Sequence, residues 1–325
     1  MSLTPLGQGG YPISANLNNN SGTLFGPIWA KRFARYFYAN TLLSEITSNE
    51  YASELKNFGD RYVLPTLPDD VVIGNYVDGQ PFNFTAPSFN AQEMFINKGV
   101  YFAFPITDLQ KKQTGWAFNA PFAEHMSKKE KIYVETEYLN TNYSTADSFN
   151  QGATAGAKTQ SINLGVSGTT ILLTTGTTSG TTINAIDLIT NVHQVLQENN
   201  VPEEDPYIVL PPWAGNTIKR SELKFAYETG DKTSPIRTGL IGSVDGIKVF
   251  VSNLITPVAD GSGVNAYHVM FGVKSAVSFI TQMTQNTEKV DPYAPQTLVS
   301  GLQIYGYKTF LPRGLGHAYI AKAAA

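Results

Sequence analysis

The sequence predicts an α+β fold, and the signals for it are clearest in the second half of the chain. Asp245-Gly246 is a two-residue turn that accepts positive φ, and apolar and polar residues alternate around it within Leu240 to Leu254. This pattern predicts a β-hairpin with one buried face. Apolar spacing predicts a helix over residues 183–199, a strand over 207–210 and a further β segment over 267–280. These elements indicate one compact α+β unit, preceded by long hairpins and one long polar helix.

The composition limits the classes of protein to which this chain can belong. With 325 residues, of which 42% are hydrophobic and 15% charged, the chain can bury a substantial core in one large or two moderate domains. The net charge of -3 provides no basic field, so any contact with nucleic acid is expected to be local and weak. The absence of cysteine excludes disulfides, cysteine-ligated metals and thiol nucleophiles. We find no signal-peptide pattern and no apolar stretch of membrane-spanning length, which predicts folding inside the cell.

Two segments make up the N-terminal region. Residues 1–22 are rich in Gly, Asn, Ser and Pro and too polar to bury themselves, so we expect an extended or disordered arm. Residues 27–47 place apolar side chains at helical spacing opposite basic ones, which predicts an amphipathic helix. Its basic and aromatic residues are compatible with a nucleic-acid or membrane contact, but docking on the same or a neighbouring subunit is the simpler interpretation.

Residues 57–104 carry repeated strand signals. Apolar stretches that favour strands are separated by prolines and by turns such as Asp78-Gly79. The pattern predicts a long two-stranded ribbon, which is only marginally stable until a further layer covers its apolar face. Phe82, Phe84 and Phe89 would otherwise be exposed. We therefore expect the ribbon to lie on another copy of the protein.

A polar helix and a Thr/Gly-rich segment follow. Residues 121–139 contain no glycine and no internal proline, and their narrow apolar stripe indicates a structural strut with a mostly polar surface. In residues 141–182, 26 of 42 positions are Gly, Ser, Thr or Asn, which predicts a partly ordered surface segment that joins two domains. Residues 162–166 and 170–173 within it have the composition of short strands. A purely flexible linker is the alternative.

The remaining segments complete the predicted fold. The 183–199 helix has one apolar face and is expected to pack in the core, and residues 215–227 are expected to form another short helix. Residues 297–320 predict two more strands, punctuated by glycine and proline.

No residue pattern demands an active site. The four histidines, His125, His193, His268 and His317, are separated by 68, 75 and 49 residues, and no two have metal-ligand spacing on a helix or turn. Each is therefore expected to be a packed or surface histidine. Phosphate-binding, nucleophile-elbow and zinc-protease motifs are absent from the sequence, and adjacent carboxylates lie beside prolines in predicted turns. We predict no enzyme and no cofactor, although residues distant in sequence can still assemble a site.

Several short motifs occur in a distinctive order. They are FGDRYVLP at 58–65, turns at 75–76 and 78–79, the 102–108 entry to the long helix, the 183 helix with YIVLPP ending at 212, GSVDGIKVFVS at 242–252, IYGYK at 304–308 and HAYI at 317–320. In this order, and over about residues 25 to 322, the chain resembles the major capsid protein of tailed double-stranded-DNA bacteriophages, the Hong Kong 97 type of fold. Each motif is weak alone, and their order carries the resemblance.

The resemblance implies a Hong Kong 97-like architecture with an N-terminal arm, an extended E-loop hairpin, a long spine helix in a peripheral domain, and a compact axial domain. The implied boundaries are 1–50 for the arm, 51–104 for the E-loop, 105–182 for the spine helix and linking segment of the peripheral domain, 183–280 for the axial domain and 281–325 for the C-terminal strands of the peripheral domain.

The resemblance also implies a structural function. The chain would assemble as hexamers and pentamers into an icosahedral head around double-stranded DNA, with which it would make weak non-specific contacts. A portal protein, and scaffold or decoration proteins, would be further partners, with no membrane contact. Assembly would take place in the bacterial host cytoplasm, and the product would be the capsid of the virion. The residues expected at subunit interfaces are Trp29, Phe33, Phe37, Asp78, Gly79, Phe82, Phe84 and Phe89.

Other interpretations are open at this point. An encapsulin-like shell shares the fold but encloses protein cargo, and another phage structural component is a further alternative. A hydrolase with scattered catalytic residues represents a third class. Some family members crosslink the E-loop covalently to the peripheral domain. Asn97 and Lys98 are the only residues that we would consider for such a crosslink, and no pattern assigns a pair.

Overall fold

Two larger β-sheets and a two-stranded ribbon organise the described part of the protein, and adjacent turns carry the chain between the two larger sheets. The structure is a computed structural model that describes residues 41–50, 61–66, 74–75, 78–79, 84, 86, 90–108, 119–202, 204–221, 242–261 and 263–323. Its helices are α1 (Leu43–Ile46), α2 (Asn119–Thr141), α3 (Ala185–Glu198) and α4 (Pro212–Arg220). Its strands are β1 (Arg61–Thr66), β2 (Asn90–Phe95), β3 (Lys98–Thr107), β4 (Ile171–Thr174), β5 (Thr182–Asn184), β6 (Pro206–Leu210), β7 (Ser243–Val244), β8 (Ile247–Val251), β9 (Val258–Ala259), β10 (Asn265–Val273), β11 (Val277–Val290), β12 (Gln296–Thr309) and β13 (Leu315–Lys322).

The larger sheet is mixed and has eight strands. Its order is β5-β4-β13-β10-β6-β8-β7, and β9 pairs with β10. Strand β13 is antiparallel to β10 and parallel to β4, so the last strand of the chain lies inside the sheet. Every residue from Leu315 to Ala321 is buried, which explains why the strand lacks the apolar-polar alternation of a strand with one solvated face.

The helix α3 packs against this sheet, as its apolar face predicts. The side chain of Asn184 caps the helix by accepting a hydrogen bond from the N–H of Ile186 (3.1 Å). The buried face consists of Leu188, Ile189, Val192, Val195 and Leu196. The prediction of a helix over 183–199 is confirmed, except that residues 183 and 184 belong to β5.

The hairpin signal is also confirmed. Asp245 (φ 51°) and Gly246 (φ 77°) both adopt positive φ between β7 and β8, as this two-residue turn requires. The apolar strand expected at 207–210 is β6, which is buried throughout. The short helix expected over 215–227 begins earlier, at Pro212, and ends at Arg220, and residues 222–227 lie outside the described part of the chain.

The smaller sheet has three long strands in the order β11-β12-β3, and α2 contacts two of them, β3 and β12. The prediction of a helix over 121–139 is confirmed, and the helix is slightly longer. The strut interpretation needs correction in its C-terminal half. There Val134, Tyr138 and Leu139 are buried, and the last two join the core beneath the larger sheet.

The single β segment expected over 267–280 is wrong, whereas the two strands expected in 297–320 are confirmed. Residues 267–280 do not form one β segment, because a 3-10 turn, Lys274–Ala276, separates β10 from β11 and the two strands lie in different sheets. The two strands expected in 297–320 exist as β12 and β13, but they also lie in different sheets, so β13 pairs with strands of the expected axial unit. Apolar alternation identifies a strand but not the partner with which it pairs.

The Thr/Gly-rich stretch 141–182 is ordered, as expected, and it is not a flexible linker, but it contributes to the core as well as to the surface. It supplies β4 to the larger sheet, and its buried residues lie in the same cluster as α3. These residues are Ala155, Ile162, Leu164, Ile171 and Leu173. Residues 162–166 form isolated bridges rather than the expected strand. The segment has few apolar residues, but half of them are buried, so its mean composition conceals a contribution to the core.

Gly316 provides a test of the packing between β10 and β13. A Cβ built on Gly316 would overlap the ring of Phe271, which is fully buried and cannot move toward solvent. We expect Gly316→Ala to lower the free energy of unfolding by about 1–3 kcal/mol through overpacking. Gly261→Ala is the control, because a Cβ there meets nothing within 4 Å. Urea unfolding of both variants measures the difference, and equal stabilities would contradict this account of the sheet centre.

Candidate assembly surfaces

The first candidate surface is the two-stranded ribbon. Strands β1 and β2 are antiparallel, with Arg61 opposite Phe95 at one end and Thr66 opposite Asn90 at the other. One face of the ribbon is covered by its own subunit, because Met94 on β2 and Ile96 just after it are buried against Ile280 on β11 and Phe310, which follows β12. The subunit itself therefore supplies part of the cover for the ribbon, and the expectation that the ribbon lies on another copy stays a prediction for its other face.

The opposite face of the ribbon is open. It exposes Val63 and Phe95, beside an ion pair between Arg61 and Glu93 (3.5 Å). Phe84, in the connection between the strands, is 92% exposed. Monomeric proteins seldom leave aromatic and aliphatic side chains together on such a surface without a binding partner.

The ribbon is held firmly to the smaller sheet at its base. Lys308 on β12 donates a hydrogen bond to the carbonyl oxygen of Glu93 (2.6 Å). At Gly306 the backbone of β12 approaches the carbonyl of Phe95 so closely that a Cβ would overlap it. Glycine is needed there for contact between the two backbones. The ribbon therefore presents its open face in a defined direction.

The second candidate surface is the outer face of the smaller sheet. Tyr101 on β3 lies opposite Leu302 on β12, and Pro105 lies opposite Leu298. Tyr101 is 76% exposed, and both leucines are exposed as well. At the far end, the turn between β11 and β12 carries Tyr293, which is 97% exposed. Exposed apolar side chains therefore occur on this face of the sheet and in the turn at its end.

A polar cluster braces α2 on this sheet. The ammonium of Lys98 donates to the Glu137 carboxylate and to the hydroxyl of Tyr307 (2.7 Å), and the Tyr305 hydroxyl donates to Glu137 (2.6 Å). Burial by itself would raise the pKa of Glu137, but the hydrogen bonds from Lys98 and Tyr305 outweigh it, so the pKa is lowered. Lys98, which we considered for a crosslink, therefore lies in a non-covalent cluster within one subunit.

A second carboxylate of α2 holds the chain at its first described residues. Glu135 is buried and its Oε2 accepts hydrogen bonds from the backbone N–H groups of Leu42 (2.6 Å) and Leu43 (3.2 Å). Burial raises the pKa of Glu135, and the two N–H donors partly counter that shift. This contact fixes where the N-terminal segment leaves the body of the subunit.

Two histidines that are 49 residues apart in sequence form a pair between β10 and β13. His268 Nδ1 lies 2.8 Å from His317 Nε2, so one imidazole donates a hydrogen bond and the other accepts it. The ring of Tyr143, which follows α2, stacks on His268 with 4.0 Å between centroids. Burial lowers the pKa of both histidines. The sequence contains no local signal for this pair, because strand register alone creates it.

Of the residues predicted at interfaces, the structure describes Asp78, Gly79 and Phe84, and all three are exposed. Gly79 adopts positive φ (80°) in the expected turn. The other predicted residues lie outside the described part of the chain: Trp29, Phe33, Phe37, Phe82 and Phe89. Sequence reasoning missed Val63, Phe95, Tyr101 and Tyr293, although the apolar, uncharged composition of residues 99–106 was a usable signal for Tyr101.

The described residues include no group of three His, Asp or Glu side chains arranged to hold a metal ion. A search of the same residues finds no helix with the length and apolar character needed to cross a membrane.

Comparison with known proteins identifies the fold. No protein-family model matches the chain, and no curated protein matches it. Among solved structures, a chain of Mycobacterium phage Che8 has 17% identity and a TM-score of 0.67, with 91% of this chain and 97% of that chain covered. A capsid chain of cyanophage P-SCSP1u has 15% identity and a TM-score of 0.67, covering 94% and 97%. A capsid chain of a native GTA particle has 10% identity and a TM-score of 0.64, covering 96% and 100%. The chain shares its fold with these proteins.

The histidine pair makes the stability of the fold dependent on pH. Burial lowers the pKa of His317 to about 3, whereas its ordinary value is 6.5. The unfolded chain therefore binds a proton at higher pH than the folded chain does. The stability contributed by neutral His317 is complete above pH 6.5 and is lost progressively as the pH falls toward 3.

The test compares wild type with His317→Gln, which removes the titrating group. Between pH 6.5 and about 4.5, we expect wild-type stability to fall relative to the variant by up to about 1.4 kcal/mol per pH unit. Urea unfolding at several pH values measures this difference. Gly261→Ala, which removes no titrating group, should run parallel to wild type. A His317→Gln profile that also runs parallel to wild type would rule out the assigned role.

Proposed function

We propose that this chain is the structural subunit of a bacteriophage head. Copies assemble as hexamers and pentamers into an icosahedral shell that encloses double-stranded DNA. The observation that carries the proposal is the apolar surface that the ribbon and the smaller sheet leave open, at Val63, Phe95, Tyr101 and Tyr293. The fold shared with capsid chains supports it, because those chains match over nearly their whole length.

The described elements suit the divisions of a Hong Kong 97-like subunit. The N-terminal arm extends to about residue 50, the ribbon corresponds to the E-loop, and α2 with the smaller sheet corresponds to the spine of the peripheral domain. We place the axial domain in the eight-stranded sheet. In this division, β4, β5 and β13 join residues 183–273, while β11 remains with the peripheral domain.

The proposed function needs no catalytic site, and assembly depends on contacts between identical copies. The net charge of -3 favours weak, non-specific contact with the enclosed DNA, which allows the DNA to move during packaging and release. A portal protein, and scaffold or decoration proteins, are proposed as further partners. The site of assembly is the bacterial host cytoplasm and the final location is the virion. No observation specifically favours an encapsulin-like shell.

The test targets the open face of the ribbon. We expect the purified protein to form shells, capsomers or open sheets in negative-stain images, and Val63→Asp/Phe95→Asp to abolish them, because two carboxylates would be buried without partners in the interface. Sedimentation measures the assembled fraction. Circular dichroism and urea unfolding should show that the variant subunit remains folded, since both positions are exposed.

Val258→Asp is the matched control. Val258 is exposed to a similar degree as Val63, but it lies on β9, beside the larger sheet and away from the ribbon. We expect this variant to assemble. If the ribbon variant assembles as completely as the control, the ribbon face is not a subunit interface.

A further inference from the structure

An open groove of about 390 Å³ lies between β3 and the helix α2. Residues 99–102 form its strand side, and Met126, Lys129, Glu130 and Tyr133 form its helix side. The four helix residues recur at the spacing of one helical face, which explains why they meet the strand together. We call this feature the β3 groove.

The helix side of the β3 groove contains a buried carboxylate with an unsatisfied acceptor. Glu130 is only 6% exposed, and its Oε1 atom has no hydrogen-bond partner within the described structure. The strand side, GVYF at 99–102, carries no charged side chain. A buried acceptor without a donor is costly, and the cost is larger for a charged group. A cationic donor in the groove would remove that cost.

The lysine that lines the groove does not supply this donor. Lys129 is adjacent to Glu130 in sequence, so the two side chains point about 100° apart around the helix axis. Lys129 is exposed, and the Oε1 atom of Glu130 stays without a partner. The cation that would satisfy Glu130 therefore has to come from outside the groove lining.

Two helical turns further along α2, the chain satisfies a similar carboxylate by itself. Glu137 follows Glu130 by seven residues and therefore lies on nearly the same side of the helix. Glu137 accepts a hydrogen bond from the ammonium of Lys98, which lies 4.1 Å from the centre of the Tyr307 ring. A carboxylate and an aromatic ring together make a complete site for an ammonium group.

The β3 groove repeats the carboxylate and the aromatic rings of that site. Glu130 supplies the carboxylate, and Tyr101 and Tyr133 supply aromatic side chains on the two sides of the groove. Residues 99–107, which follow Lys98 on β3, carry no charge, so the strand offers no second lysine. The groove thus presents the groups that recognise an ammonium.

The pKa values of the two carboxyls reflect this difference. Burial would by itself raise the pKa of Glu137, but hydrogen bonds, among them the one from Lys98, lower it. Burial raises the pKa of Glu130, and no hydrogen bond counters that shift. The charged form of Glu130 lacks the stabilisation that an ammonium gives to Glu137.

We infer that the β3 groove binds a small organic cation, a primary ammonium group on a short alkyl chain. The ammonium contacts Glu130 and the rings of Tyr101 and Tyr133, and the alkyl chain lies along the apolar strand side. The volume of the groove is in the range of small-molecule sites. The exposed ammonium of Lys129 disfavours a second positive charge, so a monoamine fits better than a polyamine. This inference goes beyond the proposed function and does not depend on it.

Saturation-transfer difference NMR on the purified full-length protein tests the site. We expect saturable binding of butylammonium with a dissociation constant on the order of 1 mM, as befits a ligand of so few atoms. Butanol, which has the same alkyl chain without the cationic group, should bind at least about tenfold more weakly. Equal binding of the two ligands, or no binding of butylammonium at about 10 mM, would overturn the inference.

Substitutions in the groove test the assigned contacts. Glu130→Gln keeps the shape of the side chain but removes its charge, and it should weaken butylammonium binding about tenfold. Tyr133→Leu should weaken binding about threefold through loss of the aromatic face. Lys129→Gln should strengthen binding about twofold, because a like charge is removed, whereas a site for anions would be weakened.

Glu124→Gln is the matched control, because Glu124 is an exposed carboxylate on the same helix outside the groove lining. This variant should bind butylammonium as wild type does. Circular dichroism checks that each variant is folded. Wild-type affinity in Glu130→Gln, or equal losses in Glu130→Gln and Glu124→Gln, would overturn the assigned contact.

The assembly state separates two sources of an ammonium, a free amine and a lysine side chain of a neighbouring copy. A free-amine site should bind butylammonium both in particles and in the unassembled ribbon variant, Val63→Asp/Phe95→Asp. If only unassembled subunits bind it, a neighbouring copy occupies the groove in the particle and the free-amine assignment is overturned. If wild-type protein forms no particles, the proposed function fails, and the groove is still tested on the subunit.

Discussion

The fold depends on a double crossing of the chain between its two sheets. The turn Lys274–Ala276 carries the chain from β10 to β11, and the turn Pro312–Gly314 carries it back from β12 to β13. The two turns are joined where Ala276 O accepts hydrogen bonds from Phe310 N (3.0 Å) and Leu311 N (3.3 Å). Because these hydrogen bonds join the two crossings, a shift of one sheet would also move the other.

Other parts of the molecule are fastened at the same crossing. The side-chain amide of Asn150 donates to the carbonyls of Arg313 (2.6 Å) and Leu315 (3.0 Å), so the Thr/Gly-rich segment is tied to the return turn. The backbone of Ser48 bridges to β11 by hydrogen bonds with Val277 (2.9 Å) and Phe279 (3.1 Å). The N-terminal and Thr/Gly-rich segments are therefore fixed to the two sheets within one subunit, and the two candidate assembly surfaces lie on the smaller sheet and on the ribbon that projects from it.

Local signals in the sequence predicted the elements more successfully than their pairing. The Asp245-Gly246 turn and the α3 face are encoded by residues close together, and both are found. The place of β13 inside the larger sheet depends on partners about 50 and 150 residues away, β10 and β4, which no local pattern specifies. For the same reason the His268–His317 pair and the contact of Glu135 with Leu42 could not be predicted.

The candidate surfaces likewise include one feature that the sequence predicted and one that it could not predict. The exposed position of Phe84 agrees with the prediction from its place in the ribbon, whereas the burial of Met94 on its own sheet required knowledge of where the ribbon base lies. A hairpin signal reports that two strands pair, but it carries no information on which face the rest of the chain covers.

As the pH falls, the buried titratable groups of the subunit have opposite effects on the stability of the fold. The raised pKa values of Glu130 and Glu135 mean that the folded chain takes up their protons first on acidification, so these groups stabilise the fold as the pH falls from neutral toward their ordinary value of 4.5. The lowered pKa of His317 destabilises the fold over an overlapping range, below 6.5. The two effects offset each other within a single subunit.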